Sequence, residues 1–474
     1  MADRDGIVDL LVLGGGTAGL VGAMTAAGVG ARTVLVERDR TGGDCLWTGC
    51  VPSKALLAAA ATTRTRAMLT GQDPDFSLVR TMIRDAIAAI EPVDSPEALE
   101  AAGVRFIRGA ARFEAPGVAT VDGRTIRFRQ ALIATGAAPH IPEIPGLAAA
   151  GVVTSETVWD LPAIPARLVV IGGGPLGCEL GQAFARLGSK VTLIIRSTIL
   201  PKEDREAAAL IKNSLEADGV RILEHTLVER ISPAKPGSRL ELGDGTVVTA
   251  DTVLLAAGRT ARTAGLGLEH LDISTDAHGQ IITDPRMRTT NPSVWAAGDV
   301  TAHPRFTHVA GVHASIAARN AVLGLASKIS PVVPRVTYTS PELAAVGTTG
   351  VTGTDAHVRT IHHTHVDRAV TDNTTDGFTR LIADQRGHIL GATIVGARAG
   401  ESLAEVVLAM EHRLRTSDIA AATHPYPTYS DGVWHAAIAD TRARLRAPAA
   451  AALIKTLLFL RRWRTDLNTR RKRR

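Results

Sequence analysis

The hydrophobic and polar positions of the chain follow one pattern twice. Each repeat begins with a short apolar run (residues 7–13 and 168–171), passes through a glycine cluster into an Ala-containing segment, and ends in a second apolar run (32–36 and 190–195). Apolar runs of strand length, separated by a segment of helix length, predict two strand–helix–strand units with parallel strands.

The glycines in both repeats have the spacing Gly-x-Gly-x-x-Gly. They are Gly14, Gly16 and Gly19 in the first glycine motif, and Gly172, Gly174 and Gly177 in the second. At this spacing glycines allow a tight turn, a close approach of the backbone to a pyrophosphate, and close packing of helix on strand. Both repeats are therefore typical of dinucleotide binding.

The residue that follows the second strand distinguishes the two motifs. In the first motif it is Glu37, whose carboxylate can accept hydrogen bonds from ribose hydroxyls. In the second motif the run ends at Ile195 and Arg196 follows, and an Arg can pair with a ribose 2′-phosphate that an acid would repel. Arg196 therefore favours NADPH over NADH. The alternative interpretation is an exposed Arg on a loop.

Beyond residue 334 the pattern changes to Thr- and Val-rich strands with two helical segments, which predicts a separate α+β domain. The predicted strands are 335–339, 357–366, 377–384 and 388–395, and the predicted helices are 400–413 and 431–446. The expected fold class is α/β, with two Rossmann-like dinucleotide-binding domains followed by this α+β domain. The predicted boundaries are 1–150 with 280–330 for the first domain, 151–279 for the second, 334–446 for the third, and 447–474 for a basic amphipathic tail.

Two of the cysteines lie close together between the first motif and a predicted helix. Four residues separate Cys45 from Cys50, and Pro52 suits the first turn of a helix over residues 52–67. The helix dipole and the nearby Lys54 should both favour a thiolate at Cys50. Such a pair can open and close as a disulfide during turnover. Half of a metal site and two inert thiols are the alternatives, and zinc is disfavoured because no second ligand pair accompanies the cysteines.

The composition indicates a globular protein with a sizeable core rather than a secreted disulfide scaffold. Apolar residues make up 45% of the 474 positions and charged residues 21%, and the chain has three cysteines. No apolar segment precedes the first strand, so we expect a reducing, cytoplasmic compartment. Aromatic residues are 3% of the chain, which argues against a surface that stacks nucleic-acid bases.

The formal net charge of +6 is concentrated at the carboxyl end. Residues 447–474 contain nine Lys and Arg and one Asp, so the rest of the chain is close to neutral. Within this tail the apolar run 449–460 is interrupted by Lys455 and is too short to cross a bilayer. Together with Trp463 and the clustered cations, the run suits a helix lying on an anionic membrane surface, at the cytoplasmic face of the membrane. That the tail helix packs on the rest of the protein is an equal alternative. That the tail binds nucleic acid is a weaker one.

These motifs together resemble class I pyridine nucleotide-disulfide oxidoreductases, a family that includes dihydrolipoamide dehydrogenase, glutathione reductase and mercuric reductase. The resemblance covers residues 9–446, and it rests on the cysteine pair with Pro52-Ser53-Lys54, the two glycine motifs, Ala134-Thr135-Gly136 and Ala297-Gly298-Asp299. It implies FAD in the first motif, a nicotinamide nucleotide in the second, and a homodimer with its active site at the subunit interface. It also implies that residues 334–446 are the dimerisation domain.

The resemblance assigns roles to individual residues. Cys50 would contact the flavin and Cys45 would attack the substrate as a thiolate, so electrons would pass from NADPH through the flavin and the dithiol to an acceptor. Glu179 would lie near Lys54 and the nicotinamide. The further positions expected at the cofactors are Glu37 at the adenosine ribose, the backbone of Ala111 near the adenine, Thr135, Gly136, Gly258, Asp299 at the ribityl chain, and the backbone of Thr307 and His308 beside the ring.

The chain departs from the family's disulfide reductases near its carboxyl end. Those enzymes carry His-Pro-Thr followed by Ser-Glu, with the His as acid and base. Here the matching residues are Tyr426-Pro427-Thr428 followed by Ser430-Asp431, so Tyr426 and Asp431 take the places of the catalytic His and its Glu partner. Tyr, with a reference pKa of about 10, is a poor base at neutral pH. Tyr426 therefore argues against exchange with a small disulfide.

We accordingly expect a different acceptor, namely a quinone, a metal ion or an oxidant-derived species. One alternative is a true disulfide reductase that uses His424. However, the prolines after residues 424 and 426 impose extended conformations that turn the two side chains apart, which favours a packed His424. A mercuric reductase-like enzyme is a second alternative, although no cysteine follows Cys178. A third is a membrane-surface redox partner or sensor docked by the tail.

Two further features carry weaker signals. Trp47 lies between the cysteines, where it could narrow access to Cys45 or simply pack. If residues 361–366 form a strand, His363 and His365 share one face, a spacing that can bind a metal. Because no Asp, Glu or Cys completes such a site nearby, we expect no metal there.

Overall fold

The computed structural model describes residues 6–71, 75–350 and 356–472, without the side chains of residues 67, 68, 149 and 467–472. The chain divides into two compact units. Unit 1 contains Met1–Pro201 and Lys212–Pro331, and unit 2 contains Lys202–Ile211 and Val332–Arg474. The predicted basic tail falls partly outside the described residues, since its last two residues and the side chains of 467–472 are not among them.

The strands of unit 1 are β1 (Ile7–Leu13), β2 (Thr33–Glu37), β3 (Val104–Arg108), β4 (Ala111–Ala115), β5 (Val118–Val121), β6 (Arg124–Ile133), β7 (Ala137–Pro139), β8 (Val153–Thr154), β9 (Arg167–Ile171), β10 (Lys190–Ile194), β11 (Arg221–Leu223), β12 (Val228–Pro233), β13 (Ser238–Leu242), β14 (Val247–Ala250), β15 (Thr252–Leu255), β16 (Arg259–Ala261) and β17 (Val294–Ala296). Those of unit 2 are β18 (Arg335–Thr337), β19 (Glu342–Gly347), β20 (Ala356–His362), β21 (Phe378–Asp384) and β22 (Ile389–Gly396). The α-helices are α1 (Thr17–Gly28), α2 (Gly43–Trp47), α3 (Cys50–Thr70), α4 (Phe76–Ile90), α5 (Pro96–Ala101), α6 (Pro175–Arg186), α7 (Arg205–Ala217), α8 (Thr307–Leu323), α9 (Asp367–Thr371), α10 (Ala399–Glu411), α11 (Thr416–Ala421), α12 (Asp431–Leu445) and α13 (Pro448–Lys472).

The first glycine motif follows a central strand of a largely parallel sheet in unit 1. Strands β3, β2, β1 and β6 are parallel in that order, β17 adds to β6, and β5 and β4 continue the sheet as antiparallel strands. Leu10 and Val12 of β1 belong to one buried cluster, and Leu11 and Leu13 belong to another. Because successive side chains of a strand point to opposite faces, β1 is buried on both, and its sequence is almost continuously apolar.

A second parallel sheet in unit 1 carries the second glycine motif. Its strand order is β11, β10, β9, β15, β8, and α6 begins at Pro175, shortly after β9 ends at Ile171. The two predicted strand–helix–strand units, and with them the α/β fold class, are confirmed. The pattern analysis did not predict the antiparallel sheet of β12, β13 and β14 that follows.

Unit 2 contains the predicted α+β arrangement, built on one antiparallel sheet. The strand order is β18, β19, β22, β21, β20, and helices α10, α11 and α12 bury Leu403, Ile419 and Val433 in the same core as its strands. The sequence pattern missed β19. Its alanines, Ala344 and Ala345, have a weak preference for strands, yet both are fully buried within the sheet.

The predicted strand over residues 357–366 ends early, so the condition under which His363 and His365 would share one face is not met. Strand β20 ends at His362, and His363–His365 form a single 3-10 turn. His363 is therefore buried, with its Nε2 3.1 Å from Thr379 Oγ1, while His365 is exposed. Burial lowers the pKa of His363 to about 4, so this imidazole is neutral. Within the ranges that the structure describes, no group of three or more His, Cys, Asp or Glu side chains could hold a metal ion.

The tail forms one long helix, α13, whose apolar side chains remain exposed. Their exposed fractions lie between 36% and 67%, and they are Leu453, Ile454, Leu457, Leu458, Phe459, Leu460 and Trp463. The described residues of the chain thus leave the apolar run uncovered. No helix in the described part of the protein is long and apolar enough to cross a bilayer.

Candidate active site

The first glycine motif forms a loop whose shape fits a bound pyrophosphate. A Cβ atom on Gly19 would lie 1.8 Å from the Gly14 carbonyl oxygen, so only glycine lets α1 pack this closely on the loop. Gly16 precedes α1 with an extended backbone, and a Cβ atom there would meet nothing nearer than 3.7 Å. Open space before the first N–H groups of a helix is what a phosphate group needs. These residues fit the FAD expected in this motif.

Glu37 ends β2 with its carboxylate turned back onto the glycine loop. Its Oε2 accepts a hydrogen bond from the Gly15 backbone N–H at 2.6 Å, and its Oε1 accepts one from the Asp39 backbone N–H at 2.8 Å. These bonds hold the carboxylate beside the loop and leave lone pairs for a ribose hydroxyl. The location suits the role expected of Glu37, and the role itself stays a prediction.

Four other positions expected at the cofactors lie at strand ends. Ala111 begins β4, and Thr135 follows β6 with its Oγ1 donating to the Arg262 carbonyl at 2.8 Å. Gly136 and Gly258 have φ angles of +69° and +118°, in the left-handed region that favours glycine. Both glycines let the chain turn sharply where it leaves a parallel strand, which is where such folds bind their ligands.

The second glycine motif repeats the arrangement of the first. A Cβ atom on Gly177 would lie 2.1 Å from the Gly172 carbonyl oxygen, whereas one on Gly174 would meet nothing within 4 Å. The helix α6 therefore also begins in front of open space that fits a dinucleotide phosphate. At the end of β10, Ile195 is buried and Arg196 is exposed, so the guanidinium is free to meet a charged ligand.

The two cysteines lie on neighbouring helices and are free thiols in this structure. Cys45 is in the short helix α2, and Cys50 is the first residue of α3. The Cys50 Sγ lies 3.1 Å from the Oγ1 of Thr307, which is the first residue of α8. The N-terminal ends of two helices thus meet at one sulfur, and the positive end of each helix dipole stabilises negative charge there.

The two thiols have opposite pKa shifts. A hydrogen bond from Cys45 lowers the pKa of Cys50 to about 6, with help from Thr307 and Lys54 and against the effects of burial and of Asp44. The same hydrogen bond, together with burial, raises the pKa of Cys45 above its ordinary range. The resting thiolate is therefore on Cys50, as the sequence predicted. Cys45, which we expected to attack as a thiolate, must give up its proton during the reaction.

The reduced protein should titrate one thiolate with a midpoint of about pH 6. Above this pH Cys50 is charged, and the charge is lost as the pH falls through the midpoint. Ultraviolet thiolate absorbance, recorded during an acid titration of the dithiol form, measures this directly. The signal should disappear in Cys50→Ser, and a wild-type midpoint at the ordinary thiol value of about 8.5 would contradict the assignment.

Lys54 and Glu179 meet as predicted, although 125 positions separate them in sequence. The Lys54 Nζ lies 2.8 Å from the Glu179 Oε2, which joins α3 to α6. The Glu179 side chain is 4% exposed and that of Lys54 is 37% exposed. One ion pair therefore links the helix that begins at Cys50 with the helix that begins at the second glycine motif.

Asp299, His308 and Thr307 surround the start of α8. Burial raises the pKa of Asp299, and the nearby Arg259 opposes this shift with its Nε 3.3 Å from the carboxylate. His308 is exposed, and its ring stacks on Phe306 with 5.3 Å between centroids. Thr307 thus contacts Cys50 through its side chain, whereas the sequence predicted only a backbone role for it.

Tyr426 and Asp431 lie in unit 2. The Tyr426 hydroxyl is 2.5 Å from Asp367 Oδ2, to which it donates, and this bond raises the pKa of the phenol. Tyr426 is 68% exposed and protonated at neutral pH, which makes it a donor rather than a base. Asp431 is buried at the start of α12 and accepts from the Thr428 hydroxyl at 3.2 Å. The Asp431 carboxylate thus stabilises the turn of residues 428–431 that precedes α12.

His424 is packed, as predicted. Its Nε2 lies 2.7 Å from Glu405 Oε1, and its ring stacks on Trp434 with 5.3 Å between centroids. The side chain is 8% exposed. The His424 imidazole is thus held by Glu405 on one side and Trp434 on another. It does not replace Tyr426.

Sequence reasoning missed two charged residues in this region. Asp44 directly precedes Cys45, and Arg259 directly follows Gly258. In the structure they form an ion pair of 2.8 Å. The sequence does show a charged residue next to Cys45 and another next to Gly258. It does not show that these two charged residues face each other in the fold.

Comparison with known proteins agrees with this geometry. Residues 8–314 match the family described as pyridine nucleotide-disulphide oxidoreductase, and residues 333–437 match its dimerisation domain. The chain is 36% identical to a mercuric reductase of Streptomyces lividans over 449 residues, which cover 90% of this chain and 94% of that protein. It is also 36% identical to a dihydrolipoyl dehydrogenase of Thermus scotoductus over 452 residues, which cover 90% of this chain and 96% of that protein.

Among solved structures, the chain is similar to the Cu(II) complex of the HOCl-induced flavoprotein disulfide reductase RclA from Escherichia coli. The TM-score is 0.82 at 29% identity, with 90% of this chain and 98% of that chain covered. Members of the matching family use FAD and NAD(P)H, so these are the cofactors. The second family match supports a homodimer. The chain therefore belongs to the class I pyridine nucleotide-disulfide oxidoreductases.

Proposed function

We propose that this protein is an NADPH-dependent flavoenzyme that passes electrons through the Cys45–Cys50 pair to an acceptor other than a small disulfide. The observation that carries the proposal is the position of Cys50. It begins α3, touches Thr307 at the start of α8, and has a pKa of about 6. A thiol held in its charged form beside a second thiol is suited to a redox disulfide.

Each residue then has a defined task. When bound, FAD supplies the two-electron chemistry that connects NADPH to the disulfide. Two electrons and one proton open the disulfide to the Cys45 thiol and the Cys50 thiolate. Lys54 stabilises the Cys50 thiolate and is oriented by Glu179. Cys45 then faces the acceptor, and its proton must leave without help from an imidazole at position 426.

A metal ion is the acceptor class that the relatives favour among those expected. One relative is named a mercuric reductase, and the similar solved structure is a Cu(II) complex. The exposed Tyr426 hydroxyl, bonded to Asp367, is a polar group suited to positioning such an acceptor. A disulfide reductase is the second candidate, because another relative at 36% identity is a dihydrolipoyl dehydrogenase.

A panel of acceptors separates the candidates. NADPH oxidation is measured at steady state with Hg²⁺, Cu²⁺, a soluble quinone, lipoamide and glutathione disulfide, with the flavin-loaded protein. We expect turnover with a metal ion or the quinone to exceed turnover with either disulfide by at least about tenfold, because Tyr426 stands where the disulfide reductases of the family have their catalytic His. Faster turnover with lipoamide would establish the disulfide reductase instead.

Arg196 should set the preference for NADPH. In Arg196→Gln we expect the KM for NADPH to rise about tenfold, which is the cost of one charge-assisted bond to phosphate, while the KM for NADH is unchanged. Arg221→Gln is the matched control, since Arg221 is also an exposed Arg at the edge of the same sheet. Equal changes in both KM values would show that Arg196 does not read the 2′-phosphate.

We also propose that α13 holds the homodimer at an anionic membrane surface as a peripheral contact. The exposed apolar side chains of α13 lie mainly in residues 453–460, and the exposed cations Arg461, Arg462 and Arg464 follow them directly along the helix. An apolar surface beside cations suits the headgroup region, where each Lys or Arg contributes about 1 kcal/mol.

Vesicle flotation tests the membrane contact. The wild-type protein should float with vesicles that contain phosphatidylglycerol and much less with pure phosphatidylcholine vesicles. In the double variant Leu457→Glu, Phe459→Glu we expect the bound fraction to fall at least about tenfold, since two exposed apolar contacts become acidic. Equal flotation of both proteins would rule out the contact, and sedimentation would show whether the helix instead joins two copies.

A further inference from the structure

A charged contact holds the turn that carries Cys45 without involving either cysteine. Asp44 precedes Cys45, and its Oδ2 lies 2.8 Å from the Nη2 of Arg259. Its other carboxylate oxygen accepts a hydrogen bond from the Thr48 hydroxyl at the end of the same turn. The side chains of Arg259 and Asp44 are only 21% and 32% exposed, so the pair is partly shielded from solvent.

Arg259 is itself held firmly. Its Nη2 donates to the Ala137 carbonyl at 2.7 Å, and its own carbonyl accepts from Arg305 Nη1 at 2.6 Å. Its Nε lies 3.3 Å from the Asp299 carboxylate. One guanidinium therefore sits between a carboxylate next to Cys45 and a carboxylate expected at FAD, and it compensates both charges.

Neutral hydrogen bonds secure the ends of the same segment. The Trp47 Nε1 donates to the Thr41 carbonyl at 2.6 Å, and the Trp159 Nε1 donates to the Thr48 carbonyl at 3.0 Å. The guanidinium of Arg40 lies 3.9 Å from the centre of the Trp47 ring. Trp47 thus packs against its own segment, and the Asp44–Arg259 pair acts between these two anchor points, directly beside Cys45.

We propose that Asp44 and Arg259 form a positioning pair that keeps Cys45 close to Cys50 in the dithiol state. This rests on the proposed function, in which the two cysteines are the redox pair. When the disulfide re-forms, the Cys45 thiol gives up its proton, the two sulfurs pass two electrons to the oxidant, and one S–S bond is made. A turn held in place brings the sulfurs together without further loss of conformational freedom, so the pair favours ring closure.

The pair also has an electrostatic effect on Cys50. The charge of Asp44 raises the pKa of Cys50, and Arg259 compensates that charge. The other groups that act on Cys50 are Cys45, Thr307 and Lys54. Removing the carboxylate should therefore lower the titration midpoint of Cys50, whereas removing the guanidinium should raise it. If the ion pair had a purely structural role, the Cys50 midpoints of the two variants would shift in the same direction or not at all.

The test is the equilibrium of the flavin-loaded protein with reduced and oxidised dithiothreitol, measured as the fraction of Cys45 and Cys50 that can be alkylated. Asp44→Asn and Arg259→Met should each lower the ratio of disulfide to dithiol roughly threefold to tenfold. The double variant should be no worse than Arg259→Met alone, because Arg259→Met already removes the contact with Asp44. Arg259→Lys, which keeps the charge, should recover part of the loss.

Arg262→Met is the matched control, because Arg262 is three positions further along and makes a comparable ion pair of 2.6 Å with Glu156. Its ratio should equal that of the wild type. Losses in the double variant that equal the product of the single losses, or a normal ratio in Asp44→Asn, would overturn the proposal. If the wild-type protein forms no Cys45–Cys50 disulfide at all, the proposed function fails instead, so the two failures are distinguishable.

Discussion

Replacing Cys50 with Ser is expected to lower NADPH-driven reduction of the preferred acceptor by at least about 10³-fold, the scale lost when an enzyme's covalent reactive group is removed. Without this sulfur, Cys45 has no partner for the disulfide that carries two electrons. The flavin should remain bound, because the glycine loop and Glu37 do not depend on Cys50. Steady-state turnover measures the loss, and anaerobic bleaching of the flavin by NADPH shows that the earlier step survives.

The control for this variant is Cys178→Ala. Cys178 is fully buried in α6, and burial raises its pKa, so it is an inert thiol. Its removal should leave turnover within about twofold of the wild type, since it only shortens one packed side chain. If Cys50→Ser kept a tenth or more of the wild-type turnover, electrons would leave directly from the flavin, and the relay through the cysteines would be wrong.

Replacing Lys54 with Met should have the second largest effect, on both stability and the redox thiol. It removes the cation that lies 2.8 Å from the carboxylate of Glu179, whose side chain is 4% exposed. We expect the free energy of unfolding to fall by about 2 kcal/mol, less than for a fully buried pair because Lys54 is 37% exposed. The titration midpoint of Cys50 should rise by about one pH unit, because the positive charge that stabilises its thiolate is lost.

The variant Lys54→Arg separates the effect of the positive charge from the effect of the side-chain geometry. It keeps the cation, so the midpoint of Cys50 should stay near its wild-type value while the geometry of the contact with Glu179 changes. Chemical denaturation and the thiolate titration measure the two effects on the same samples. A midpoint in Lys54→Met that matched the wild type would mean that helix dipoles and hydrogen bonds alone depress the pKa of Cys50.

Short sequence patterns predicted most of the strands and helices of the fold. The apolar run 7–13 predicts a strand buried on both faces, and the glycine spacing predicts the loop that follows, because both depend on residues within one short segment. The same holds for Cys50 at the start of α3, where Pro52 marks the first turn. Where local preference and tertiary packing disagree, the prediction failed. Strand β19, with its buried Ala344, is the example.

Some contacts in the site could likewise be predicted from the sequence, and others could not. The resemblance to a family could pair Lys54 with Glu179, but nothing in the sequence pairs Asp44 with Arg259 or turns the side chain of Thr307 toward Cys50. Such contacts depend on how strands far apart in sequence are aligned, since the alignment decides which loops meet. A short motif holds no information about that alignment.

The sequence by itself determined two dinucleotide motifs, a third α+β region, a cysteine pair with a low-pKa member, and the replacement of a catalytic His by Tyr426. Only the tertiary structure showed that Cys45 and Thr307 also stabilise the Cys50 thiolate, because the two side chains reach this sulfur across space. It likewise showed that the Tyr426 hydroxyl donates to Asp367, a bond that raises the pKa of the phenol. The physical reason is common to both. Hydrogen bonds and charges act over a few ångströms, and folding alone brings residues from distant parts of the chain within that range.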